Sequence, residues 1–105
     1  SFCAVAARLG ISLGEKNEEI HIIPAAYEVE DTFSYSGTCV YMKSGKKLNE
    51  LICALRRRQE KTGNIYKVYG VSNCGMPQEQ AYYGLDELEN AKGYLTTVIV
   101  KTCTE

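Results

Sequence analysis

Residues 37–71 constrain the fold of this 105-residue chain more than any other stretch. Thr38-Cys39-Val40-Tyr41-Met42 is short, apolar and rich in the β-branched and aromatic residues that suit a buried strand. Lys43-Ser44-Gly45 interrupts it, with Ser44 or Gly45 suited to cap a following helix. Leu48, Leu51, Ile52 and Leu55 then recur at i, i+3, i+4 and i+7, one apolar stripe of an amphipathic helix. Thr62-Gly63-Asn64 stops that helix, and residues 65–71 read as a second strand. A strand–helix–strand unit implies parallel strands joined by a right-handed crossover. Parallel strands end at one edge of the sheet, so the turn after Met42 and the turn Ser72-Asn73-Cys74-Gly75 are expected near one another. Ligands of open α/β sheets bind at that edge.

The flanking segments complete a single domain. Residues 1–9 are rich in small side chains (Cys3, Ala4, Ala6, Ala7), close with Gly10 and suit a short, closely packed helix. Residues 18–23 alternate, with Ile20 and Ile22 on one face and His21 and Ile23 on the other, a strand ended by Pro24. Residues 25–36 carry acidic groups among Tyr27, Val29, Phe33 and Tyr35 and read as a short helix. Residues 79–84 suit a strand and 85–91 a turn or short helix. Residues 94–102, built on Leu95-Thr96-Thr97-Val98-Ile99-Val100, form a strand expected inside the sheet. The fold class is therefore α/β, with a mixed sheet of about five strands flanked by helices.

Charge and composition exclude several partners. Net charge is −1, and the basic residues are not massed on one face, which argues against nucleic acid. No apolar run approaches the about 20 residues that a membrane span needs. No basic segment followed by an apolar run marks a signal peptide. The five cysteines stand singly at 3, 39, 53, 74 and 103, without metal-binding spacing or the density of a disulfide scaffold. With one histidine in the chain, no metal site is expected. Reduced thiols and a cytoplasmic location are the corresponding expectation. The chain opens at Ser1, already inside a helical pattern, so it is expected to be processed or cut from something longer.

Chemistry is sparse. His21 has no partner motif and reads as a packing or surface residue. Asp86, Glu87 and Glu89 read as a solvated helix face, and neither a Walker motif nor GxGxxG occurs. No nucleophile–base pair is visible, so no catalytic residue is assigned. The edge turns offer more. Gly75 is free to take a positive φ that brings backbone close to a ligand, and Pro77 stiffens the chain just beyond it. An ordinary turn with Cys74 as a buried filler is the plainer alternative. Lys46 and Lys47 open a helix where the dipole disfavours cations by about 0.3–1 kcal/mol each. Either an anion binds there or the lysines are simply solvated. Arg56, Arg57 and Arg58 are expected in the last turn, where the dipole favours them, so they need no functional reading. Composition and spacing thus lead to a ligand edge and stop.

The same residues carry a family resemblance. Gly37-Thr38-Cys39-Val40-Tyr41-Met42-Lys43 with Gly45-Lys46-Lys47, then Val71-Ser72-Asn73-Cys74-Gly75-Met76-Pro77, then Gly93-Tyr94-Leu95-Thr96-Thr97-Val98-Ile99-Val100-Lys101 resemble, in order, the tetrapyrrole methylases of corrin synthesis. Within that family the match is to the enzymes that methylate carbon 20 of precorrin-2 or of cobalt-factor II. Ser1-Phe2-Cys3-Ala4 and Ala6-Ala7-Arg8-Leu9-Gly10-Ile11 resemble the segment that opens the C-terminal half of those enzymes.

The resemblance implies transfer of a methyl group from S-adenosylmethionine to a ring carbon of a polycarboxylate tetrapyrrole. It implies two α/β domains with the cofactor in the cleft between them, and a homodimer. The family's N-terminal domain, with its glycine-rich loop, is absent from this chain, so the resemblance makes residues 1–105 the C-terminal domain, expected to be inactive alone. Met42 takes the place of a pocket-lining methionine. Asn73 and Cys74 match the turn that approaches the adenosine, Thr96 a small residue facing it, and Ser1 the edge of a further cofactor-contacting segment. Lys43 departs from the family's usual glycine. Lys43, Lys46 and Lys47 are candidates to meet substrate carboxylates as point charges. The alternative function is a free-standing, non-catalytic domain that binds a small molecule or self-associates.

Overall fold

A computed structural model describes residues 2–11, 19–23, 37–42, 48–63, 65–91 and 96–103. Five strands form one sheet: β1 (Ile20–Ile23), β2 (Thr38–Tyr41), β3 (Ile65–Ser72), β4 (Gln80–Tyr83) and β5 (Thr96–Cys103). Helices α1 (Phe2–Leu9), α2 (Leu48–Thr62) and α3 (Leu85–Leu88) complete the described elements. The strand order is β1-β2-β5-β3-β4. β1 and β2 pair in parallel; every other neighbouring pair is antiparallel. The mixed α/β sheet of five strands expected from the sequence is therefore the observed one.

One expectation needs correction. β2 and β3 do run in the same direction, but they are not neighbours. β5 lies between them, antiparallel to both, with Tyr41 opposite Val98 and Ser72 opposite Thr96. The physical reason is β5 itself. Thr96, Thr97, Val98, Ile99 and Val100 are all buried, and a strand buried on both faces needs a ladder on both sides to satisfy its backbone. Antiparallel ladders are also slightly the more stable per residue. The ends of β2 and β3 still share one edge of the sheet. With a strand between them they stand about 10 Å apart, twice the usual spacing.

The apolar core occupies both faces. On one, the stripe of α2 (Leu48, Leu51, Ile52, Leu55) packs on Cys39, Tyr41, Val68, Val98 and Val100. All four stripe residues are buried, as the spacing predicts. Leu88 of α3 sits on the same face over Gly70, where a Cβ would run into the Leu88 side chain. On the other face, Val5, Ala6 and Leu9 of α1 pack on Val40, Val71 and Ile99. α2 ends at Gly63, whose φ of 75° and N–H bond to the Gln59 carbonyl (2.9 Å) close the last turn. The helix expected over residues 25–36 and the cap expected at Ser44 or Gly45 lie outside the described residues.

Candidate functional site

The edge singled out by the sequence collects the C-terminal ends of β1, β2 and β3 and the N-terminal ends of β4 and β5. Met42 follows β2 directly. Its backbone N–H donates to the Ile23 carbonyl at 2.9 Å, which extends the β1–β2 ladder by one rung. Its half-buried side chain packs on the cluster of Val5, Ala6, Leu9, Val40, Val71 and Ile99. Cys74 packs on the same cluster. Two residues 32 positions apart in sequence thus meet one apolar patch, and α1 is what makes that patch.

The turn that carries Cys74 is sharply set. Asn73 has a φ of 55°, the one positive φ outside glycine among the described residues, and Gly75 follows at 80°. Asparagine tolerates the left-handed region better than most residues. The Met76 N–H donates to the Asn73 carbonyl at 2.9 Å, and the Glu79 N–H to the Met76 carbonyl at 3.0 Å. Arg8 of α1 reaches across to Glu79, with Nε 3.1 Å from Oε1. That ion pair ties the helix to the far side of the turn. Neither residue stands out in the sequence, because an arginine in a helix's last turn already has a sufficient dipole explanation.

Thr96 lies at the same edge but on the other face of the sheet. Alternation along β5 puts it with Val98 and Val100 on the α2 side, whereas Met42 and Cys74 pack on the α1 side. Its side chain is wholly buried, and its hydroxyl lies 3.0 Å from that of Ser72, its cross-strand partner. In the sequence Ser72 is only the first residue of the edge turn, with nothing to mark it as the partner of Thr96. The available signal is a general one: a hydroxyl inside an otherwise apolar buried strand needs a partner. Ser1, Lys43, Lys46 and Lys47 lie outside the described residues.

The chemistry open to this edge is binding. Soft, half-buried side chains (Met42, Cys74) and a turn with exposed backbone face it, and Arg8 and Glu79 neutralise each other. Cys39 supplies no nucleophile: burial pushes its thiol up, against a smaller lowering by its hydrogen bond with Tyr41. His21 is half-buried beside Glu19, with Nε2 3.3 Å from Oε1, in keeping with a packing or surface role. Among the described residues no three His, Cys, Asp or Glu side chains gather as a metal site.

An open groove of about 480 Å³ lies at the opposite end of the sheet, between α2 and α3. Several of its polar groups are already engaged. Arg56 holds Asp86 and Glu89; the Tyr66 N–H donates to Gln59 Oε1 and the Tyr83 N–H to Glu87 Oε1, each at 3.1 Å. The acidic face of α3 is therefore more than solvated carboxylates: it is the seam that joins α3 to α2. A groove whose charged groups are largely spent on its own walls offers less to a ligand, and the Met42–Cys74 edge is the better candidate.

The family and the fold can be compared with those of known proteins. A family model described as Tetrapyrrole (Corrin/Porphyrin) Methylases matches residues 1–89. Among solved structures, the cobalamin biosynthetic enzyme cobalt precorrin-4 methyltransferase, CbiF, is similar with a TM-score of 0.71 and 12% identity over 94% of this chain and 47% of its own. The methyltransferase CobJ is similar at 0.66 and 14%, over 98% of this chain and 48% of its own. Uroporphyrin-III C-methyl transferase from Thermus thermophilus, complexed with S-adenosyl homocysteine, gives 0.63 and 14%, over 94% and 48%. No curated protein matches. The chain spans about half the length of the solved structures that it matches.

Proposed function

The chain belongs to the tetrapyrrole (corrin/porphyrin) methylase family, and from that premise we propose that it is the C-terminal half of an S-adenosylmethionine-dependent methyltransferase. The substrate proposed is precorrin-2 or cobalt-factor II, methylated at a ring carbon in corrin synthesis. The observation that carries the reading is that Met42 and Cys74, both half-buried, pack at the sheet edge on one buried apolar cluster. That edge is where an α/β sheet receives a ligand. Coverage of nearly all of this chain against about half of each similar structure supports a partner domain supplied by the remainder of a longer polypeptide.

The residues present fit the cofactor. Met42 and Cys74 offer an apolar wall of the kind that accepts a nucleoside and a thioether-like chain, and the Asn73 turn offers backbone to hydrogen-bond it. When bound, S-adenosylmethionine supplies a methyl group that is already electrophilic. What the chain has to add is position. Met42 and Cys74 hold the cofactor against the edge, and the partner domain closes the cleft over the ring carbon that is to be methylated. No general base is assigned, because the pyrrole system of the substrate is itself electron-rich. Lys43, Lys46 and Lys47 are proposed to meet the carboxylates of the tetrapyrrole, Ser1 to border the cofactor, and the full-length enzyme to be a cytoplasmic homodimer. This half alone is proposed to be inactive.

The experiment is calorimetric titration of S-adenosylmethionine onto the full-length polypeptide. Met42→Asp puts an unpaired charge against an apolar patch, where burial is expensive, so affinity is expected to fall by at least about tenfold, equivalent to about 1.4 kcal/mol. Lys61→Ala, exposed at the far end of α2, is expected to bind as the parent does. If Met42→Asp also binds as the parent does, the pocket is not at this edge. Sequencing the reading frame upstream of Ser1 supplies an independent check: about 120 further residues with a glycine-rich strand–loop are expected, an ordinary domain's length.

A further inference from the structure

We propose that Ser72 and Thr96 form a buried hydroxyl clamp that positions the Asn73–Cys74 turn, so that the Thr96 side chain serves this edge through Ser72 and not by touching a ligand. The inference rests on the proposed function only for what the turn is used for; the clamp itself stands on geometry. Both side chains are almost wholly buried, at 1% and 0% exposure, and their oxygens are 3.0 Å apart. A side chain with no accessible surface is not a contact residue. Thr96 also stands on the face opposite to Met42 and Cys74.

Its position gives it leverage of another kind. Ser72 is the last residue of β3 and Thr96 the first of β5, and the two face each other at the final rung of that ladder. The next residue after Ser72 is Asn73, in the left-handed region at φ 55°. Asparagine tolerates that region, so what fixes the turn is how its two ends are anchored. From above, the Met76 N–H bond to the Asn73 carbonyl and the Arg8–Glu79 pair brace the turn. From below, the hydroxyl bond ties the two side chains together at the point where the chain leaves the sheet. Removing it lets the last rung fray and frees Cys74 from the α1 patch.

Thiol alkylation tests this without any cofactor. The chain carries its own references: Cys53 is exposed on α2, and Cys39 is buried in the core. Iodoacetamide labelling, followed peptide by peptide by mass spectrometry, gives the Cys74 rate relative to Cys53, while Cys39 reports global unfolding. The variants are Ser72→Ala, Thr96→Ser, and the double variant Ser72→Ala/Thr96→Val, which removes both hydroxyls of the pair. The Cys74 ratio is expected to rise about fivefold in Ser72→Ala and in the double variant, the factor that corresponds to one net hydrogen bond. It is expected to stay at the parent value in Thr96→Ser, which keeps the hydroxyl. An unchanged ratio in the double variant overturns the clamp. So does an equal rise in Thr96→Ser, or a rise in which Cys39 accelerates together with Cys74. Should the full-length polypeptide not bind S-adenosylmethionine at all, the functional reading fails and the alkylation result still decides the clamp.

Discussion

Single residues of this domain carry consequences that composition does not show. Thr38 is wholly buried at the start of β2, and its Oγ1 has no hydrogen-bond partner among the described residues. Thr38→Val keeps the shape and removes the orphaned hydroxyl, so urea denaturation is expected to show a gain of about 1 kcal/mol. Gly37, one position earlier, has a φ of 87°, and a Cβ there would strike the backbone carbonyl oxygen of Glu19. That carbonyl is also the acceptor for the Thr38 N–H, at 2.9 Å. Gly63 shares the positive φ but has open space around it. Both alanine variants are expected to lose about 1 kcal/mol or more to backbone strain. Gly37→Ala is expected to lose clearly more, and the difference in denaturation midpoint isolates the collision. Cys39 sets a pH dependence. Burial raises its thiol in the folded state, so the protonated form is favoured by folding. Its contribution is fully present below the unfolded value of about 8.5 and is lost as pH rises through the folded one. Stability measured under reducing conditions is expected to decline from about pH 8.5 upward, and Cys39→Ala is expected to decline less steeply over that range.

At the scale of elements, α2 shows how far a periodic pattern determines packing. Leu55 is fully buried in the middle of the stripe, while Cys53, two residues earlier, faces solvent. Leu55→Ala is expected to cost about 2–5 kcal/mol, in the range for a large core residue truncated to alanine. Cys53→Ala is expected to stay within about 0.5 kcal/mol. Urea denaturation of the two variants checks both. α3 is a different case. It spans only Leu85–Leu88, held by Leu88 over Gly70 and by the Arg56 seam. So short a helix does not stand on propensity alone. The three arginines expected in the last turn of α2 lie before it, because the helix runs on to Thr62 with Lys61 as its last-turn cation, and the packing of α3 distinguishes Arg56 from its neighbours.

For the molecule as a whole, the question is what the exposed apolar surface is for. Ile20 and Ile22, both more than two-fifths exposed, lie on the edge strand β1. An exposed edge strand with apolar side chains is a template for pairing. Self-association of the chain at high micromolar concentration is therefore the expected outcome of sedimentation equilibrium, and Ile20→Lys is expected to shift it toward monomer. A parent chain that sediments as a monomer throughout would overturn this. Among the described residues the large exposed apolar side chains are Ile20 and Ile22 on β1, Met76 in the turn at the strand-end edge and Tyr83 on β4.

The chain's own pattern was enough to determine most of the described elements: the apolar stripe of α2, the β-branched run of β5, the alternation of β1 and the glycine stops are all local, and local signals survive without knowledge of what packs on them. It also placed Met42, Asn73 and Cys74 at one edge, because strand direction follows from a helical connection. The tertiary structure alone decided the strand order. β5 inserts between β2 and β3 through a ladder that joins residues 38–41 to 98–101, and no local signal encodes a partner so far away. It also decided the face on which each edge residue sits. Met42 and Cys74 meet α1, while Thr96 turns away to Ser72. A strand's alternation tells which residues share a face, and only the packed helices tell which face that is.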